Sequence, residues 1–131
     1  MEPDTRPRVL DVGQCTPDHA NIARLLKQEF DAVVDRAKTT EQVTYMTGFY
    51  DYDLVLVNRI LDADGSAGLT LIELMKSSDE LRTVPVMLVS NFADAQAQAV
   101  QAGAIRGFGK DTLGDPATID LLAIHLKPQP T

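Results

Sequence analysis

The chain has 131 residues, 44% hydrophobic and 24% charged, which fits one globular domain and excludes both a two-domain enzyme and an intrinsically disordered segment. Nineteen Asp and Glu against 12 Lys and Arg give a formal charge of -7, which argues against a broad electrostatic grip on nucleic acid or an anionic membrane. The single cysteine, Cys15, excludes an internal disulfide and a cysteine-rich metal site and points to a reduced, cytoplasmic setting. No apolar run is long enough to span a bilayer and Met1-Glu2-Pro3-Asp4 is acidic, so no membrane association is expected.

Taken in chain order, RVLDV at Arg8 to Val12 reads as a first short strand, and Thr16-Pro17 then reads as an N-cap ahead of a proline that opens a helix. Ile22, Leu25, Leu26 and Phe30 supply the apolar stripe of that helix. A second strand is expected near Ala32. Thr39 and Gln42 have capping-box spacing for a helix through Val43, Met46 and Phe49. DLVLV at Asp53 to Val57 is a third strand, followed by a helix near Gly68 with Leu69, Ile72, Leu74 and Met75 as its apolar positions. VPVMLV at Val84 to Val89 is a fourth strand, with a helix from near Ala93; a fifth strand near Ile105 and a helix opened by Asp115-Pro116 complete the pattern. Short apolar strands alternating with helices predict a parallel sheet covered on both faces, an α/β doubly wound (βα)5 fold. Its ligand crevice lies at the carboxyl ends of the strands. The domain is expected over residues 8–127, with flexible tails at 1–7 and 128–131.

Three stretches carry a resemblance that covers nearly the whole chain: YDLVLVNRILDADGSAGLTLIELMK, the PVMLVS run ending at Ser90, and Ala102-Gly103-Ala104 followed after five residues by Lys110. Together they resemble the receiver domains of bacterial two-component response regulators. The resemblance implies a flavodoxin-like, CheY-like sheet of five parallel strands in the order 2-1-3-4-5. It also implies an aspartate at the end of the third strand that accepts a phosphoryl group, beside a magnesium ion held by an acidic pair after the first strand.

The chain departs from that chemistry at each place. The phosphoacceptor position is Asn58, whose carboxamide cannot form an acyl phosphate. Gly13 and Gln14 stand in place of the acidic pair, so the hard oxygens a magnesium ion needs are missing. Ser90 and Lys110 match the hydroxyl and amine that would hold phosphoryl oxygens. Gly107 replaces the family's switch aromatic, with Phe108 one place later, and Asp111 follows Lys110 where proline is usual. The loop after Asn58 is about two residues longer than expected and the segment from Ser90 to Gly103 about two shorter, which predicts a fourth helix that begins late or is irregular.

Other features are weighed on chemistry alone. Asp62 to Glu73 resembles an EF-hand loop but has Ala67 where the sharp turn needs glycine, so a polar loop capping the third helix is expected. Asp62 or Asp64 could serve as a displaced phosphoacceptor. Asp11 interrupts a strand that should be covered on both faces, and a lone buried carboxylate there is unfavourable; Lys110 is one candidate partner, although Asp111 could pair with that lysine instead. His19 and His125 are expected at surfaces or interfaces, and Cys15 as a small apolar filler beneath the first helix. Gly107 to Thr112 fails as a phosphate loop because Asp111 follows the lysine.

The expected role is an atypical receiver acting in bacterial signal transduction by phosphorylation-independent protein–protein interaction. No catalytic residue, cofactor or metal is expected. Partners are expected on the face of the fourth helix, fifth strand and fifth helix, including a homodimer, with Phe92, Ala97, Val100, Ile105, Phe108 and Leu113 as candidate contacts. The alternatives are the displaced acceptor and a small-ligand or anion sensor in one crevice formed by Gly13, Gln14, Asn58, Ser90 and Lys110.

Overall fold

The computed structural model describes residues 5–126. Five parallel strands, β1 (Arg8–Val12), β2 (Val33–Ala37), β3 (Leu54–Asn58), β4 (Val86–Val89) and β5 (Ile105–Phe108), form one sheet in the order β2-β1-β3-β4-β5. Between them run α1 (Thr16–Phe30), α2 (Thr40–Thr47), α3 (Gly68–Ser77) and α4 (Ala93–Gln101), and α5 (Pro116–Leu126) follows β5. This is the expected flavodoxin-like order. Lys127 and the expected tails at 1–4 and 128–131 lie outside the described residues. Pro7 is buried, and its carbonyl accepts a hydrogen bond from Val33 N at 2.8 Å.

Alternation along the strands divides the core in two. Val9, Leu54, Leu56, Met87 and Val89 pack with Ile22, Leu26 and Phe30 of α1 and Leu122 and Leu126 of α5. Leu10, Val12, Val55, Val57, Val86 and Leu88 pack on the other face with Val43 of α2, Leu71, Ile72 and Met75 of α3, and Ala99 of α4. The inward position on α3 is Leu71; Leu74 is turned out.

Helix starts follow the sequence with one exception. Thr39 Oγ1 accepts from Gln42 N at 3.3 Å and Gln42 Oε1 accepts from Lys38 N at 2.6 Å, which builds the capping box of α2. Asp115 O receives the first bonds of α5, from Thr118 N and Ile119 N. Thr16, by contrast, is the first residue of α1 and Cys15 the cap. Cys15 is half-buried and its thiol donates to Asp18 Oδ2 at 3.2 Å, so it is a polar contact at the helix start and not an apolar filler.

The fourth helix is regular from Ala93 and does not begin late. The irregularity sits in β5, where Met87 pairs with Ile105 but Val89 pairs with Phe108, so three steps on β5 face two on β4. Such a bulge leaves backbone groups without ladder partners. Gln96 of α4, itself buried, supplies them: Nε2 donates to Leu88 O at 2.8 Å and Ser90 O at 3.1 Å, and Oε1 accepts from Gly107 N at 2.9 Å. A Cβ at position 107 would stand 2.1 Å from Leu88 O, so only glycine fits the bulge. Phe108 consequently turns inward and is 6% exposed in the core, where Ile105 and Leu113 also pack. These three leave the expected partner face; Ala97 and Val100 remain exposed on α4 and Phe92 just before it.

Replacing Gln96 by leucine takes this partner from the Gly107 donor of β5 and from the Leu88 and Ser90 carbonyls on the β4 side in a buried site, a loss of about 2 to 3 kcal/mol. Urea unfolding of Gln96→Leu measures it, and a change below about 0.5 kcal/mol, the range of an ordinary surface substitution, would contradict the assignment.

Candidate functional site

The carboxyl ends of β3, β4 and β5 bring Asn58, Ser90 and Lys110 around one crevice of about 240 Å³, lined also by Arg59, Ile60, Val89, Asn91 and Phe92. Gly13 and Gln14 do not share it. They line a separate pocket of about 140 Å³ with Thr16, Arg36, Lys38, Asp62 and Ala63. The single crevice expected from the sequence is therefore two, and the longer loop after β3 accounts for the division.

That loop folds back on itself. Ile60 and Ala67 form an antiparallel bridge, Leu61 N donates to Ser66 O at 2.8 Å, and Gly68 N donates to Arg59 O at 2.7 Å. The hairpin drives Leu61 into the core, where it is fully buried. Gly13 lies directly against it: a Cβ there would meet Leu61 Cδ2 at 2.3 Å, and the backbone has φ +81°. A carboxylate side chain at position 13 has neither the space nor the backbone conformation it needs.

Asn58 closes the arrangement. Its Nδ2 donates to Ile60 O at 2.8 Å and to Gly13 O at 3.2 Å, and Gly13 O also accepts from Asp62 N at 2.9 Å. One carboxamide thus joins the ends of β1 and β3 to the hairpin by using both of its hydrogens. An aspartate in this position would point oxygens at carbonyl oxygens.

Ser90 and Lys110 are also engaged by the chain's own groups. Ser90 Oγ accepts from Phe92 N at 3.1 Å. Lys110 Nζ pairs with Asp18 Oδ2 at 2.7 Å, and neither Asp11 nor Asp111 is its partner. Lys110, and then the Cys15 thiol, hold the Asp18 carboxyl below the usual carboxylate range. Asn91 Oδ1 accepts from Asp111 N at 3.1 Å, which ties the loop after β4 to that after β5.

Asp11 has a partner that the sequence did not reveal. His19, in the first turn of α1, places Nδ1 2.7 Å from Asp11 Oδ2, with the carboxylate fully buried and the imidazole 19% exposed. His19 is therefore a half-buried pairing residue and not a free surface one. Burial pushes the Asp11 carboxyl up; His19 first, then Gln14 and Arg36, pull it back. His125 lies half-buried on α5.

Asp64 Oδ1 accepts from Ser66 N at 2.9 Å and from Ser66 Oγ at 2.6 Å, so it braces the hairpin turn, while Glu73 lies on an exposed part of α3. Among the described residues no group of three or more His, Cys, Asp or Glu side chains is placed to hold a metal ion, and no helix is long and apolar enough to cross a membrane.

Two substitutions test this geometry. His19→Ala strands the Asp11 carboxylate and costs about 3 to 5 kcal/mol, as for other broken buried pairs. Its stability falls as pH rises above the ordinary carboxylate range, because the folded protein holds the Asp11 proton more tightly than the unfolded chain. Adding Asp11→Asn removes that slope; a slope that survives would contradict the pairing. Asn58→Asp loses about 1 to 3 kcal/mol at neutral pH and less in acid, where the carboxyl regains a proton to donate; no loss in thermal or urea unfolding would contradict the role of the amide.

No protein-family model and no curated protein sequence matches the chain. Solved structures do. The signal receiver domain of a DNA-binding response regulator from Colwellia psychrerythraea 34H superposes with a TM-score of 0.76 at 17% identity, over 90% of this chain and 96% of that one. The receiver domain of NtrX from Brucella abortus gives 0.70 at 19%, over 88% and 92%. The receiver domain of a signal transduction histidine kinase from Syntrophus aciditrophicus gives 0.68 at 18%, over 92% and 87%. The chain has the fold of response-regulator receiver domains.

Proposed function

We propose that this chain is a receiver-type module of signal transduction that works without phosphorylation, through contact with other proteins. One observation carries the reading: the Asn58 carboxamide, hydrogen-bonded to Gly13 O and Ile60 O, fills the place of a phosphoacceptor. Leu61 against Gly13 supports it, because the space a metal-binding carboxylate would need is packed with hydrocarbon. With no phosphoryl contact to differ between two conformations, phosphorylation cannot shift their populations. The Gln96 clamp is in keeping with this reading, since it ties α4 to both β4 and β5.

The displaced-acceptor alternative is less favoured by the geometry. Asp62 faces the pocket of Gly13, Gln14, Arg36 and Lys38, apart from the crevice that holds Lys110, and Asp64 is committed to Ser66. The partner surface we favour is the face of α4, β5 and α5, with a second copy of the chain as its simplest occupant. Ala97 and Val100, three residues apart on α4, lie on neighbouring surface and are both exposed.

Intact mass after incubation with acetyl phosphate and magnesium tests the chemical part. The native chain and a folded Asn58→Asp variant both remain unmodified; a phosphoryl group on native Asp62 or Asp64 would overturn the reading. Sedimentation equilibrium tests the surface, with a concentration-dependent dimer that Ala97→Glu/Val100→Glu dissociates; a monomer at every concentration would overturn the homodimer.

A further inference from the structure

Between the hairpin after β3 and the start of α4 lies a groove of about 440 Å³, lined by Arg59, Ile60, Ala67, Leu69, Leu88, Phe92, Asp94, Ala95 and Gln98. The volume is within the range of small-molecule sites, roughly 300 to 1,000 Å³. Leu88 forms a buried floor, whereas Ile60 and Phe92 leave 39% and 59% of their surface exposed at the rim. Two large apolar side chains standing open around one concavity mark surface that gains by being covered.

Arg59 gives this groove a sign. No carboxylate of the described residues lies within 4.0 Å of its guanidinium, whose carbon instead sits 5.0 Å from the centre of the Phe92 ring. Stacking on the ring holds the planar fork at the lip with its edge free to donate two parallel hydrogen bonds to a planar oxyanion. The first turn of α4, capped by Phe92 with no side-chain bond, adds its positive end on the same side. The opposing charge is Asp94, which lies in that first turn and is stabilised by it.

From the Arg59–Phe92 lip and the apolar floor we infer that this groove binds a small amphipathic anion, an aromatic or branched acid whose carboxylate meets Arg59. Its hydrocarbon lies among Ile60, Leu69, Phe92 and Ala95. The groove adjoins the Asn58–Ser90–Lys110 crevice and shares Arg59, Ile60 and Phe92 with it, but its floor and far wall, Leu88, Leu69, Ala95 and Gln98, are its own, and the inference does not depend on the interaction role proposed above. Bound there, a ligand would bridge the hairpin after β3 to α4.

Titration of the ¹⁵N-labelled protein with 3-phenylpropionate, followed by amide chemical shifts, tests it, with 3-phenylpropionamide as the uncharged comparison. The acid shifts the amides of Arg59, Ile60, Phe92, Ala95 and Gln98 saturably, and Arg59→Gln weakens it about tenfold while leaving the amide's weaker binding unchanged. Ala95→Phe, which fills the groove without touching charge, abolishes both. Absence of saturable shifts at millimolar probe would overturn the inference. So would equal binding of acid and amide, or shifts centred on Ser90 and Lys110 in place of the groove.

Discussion

The paired hydrogen bonds of the Asn58 carboxamide are the interaction on which the upper face of this molecule depends. A carboxylate cannot make them, because both partners are carbonyl oxygens. They hold the ends of β1 and β3 at a separation that lets the following loop turn back as a hairpin, and the hairpin in turn sends Leu61 into the space above Gly13. Gly13, Asn58 and Leu61 are thus one structural unit. Replacing Asn58 by aspartate breaks that unit.

Lys110, Asp18, His19 and Gln96 around the sheet's carboxyl edge are likewise engaged internally, whereas the buried Gln14 carboxamide has no hydrogen-bond partner among the described residues. Lys110 neutralises Asp18, whose carboxylate also accepts from the Cys15 thiol at the start of α1. Asp11 is compensated by His19, and the backbone groups freed by the β5 bulge are met by Gln96. Each of these contacts ties a helix to a strand or loop of the sheet. Rearrangement at Asp11 or at Gln96 leaves a buried charge or an unpaired amide behind, which favours a fixed arrangement there.

Most of the architecture was legible in the sequence because it rests on local signals. The apolar runs at Leu54 and Val86, the Thr39–Gln42 capping box and the Asp115-Pro116 start each specify an element without reference to the rest of the chain. That Gly13, Gln14 and Asn58 carry no carboxylate was legible. The packing around them was not: the Leu61 plug needs a long loop to close as a hairpin, and the Asp11–His19 pair spans the turn between β1 and α1. An eight-residue separation carries no periodic signature by itself, although a buried acid followed by a histidine on the covering helix is a pattern to look for. Phe108 was misassigned to the surface because a one-residue bulge at Gly107 inverts the faces of β5, and no composition signal announces a bulge that a distant glutamine stabilises.

The central claim is that the phosphoacceptor position is a hydrogen-bonded structural amide, and it is tested most directly on the Asn58 side chain itself. In ¹H–¹⁵N spectra, the two Nδ2 protons should exchange slowly with solvent and keep their shifts when magnesium and beryllofluoride, a phosphoryl mimic, are added. Rapid exchange of those protons, or a shift that saturates with the added ions, would contradict the account.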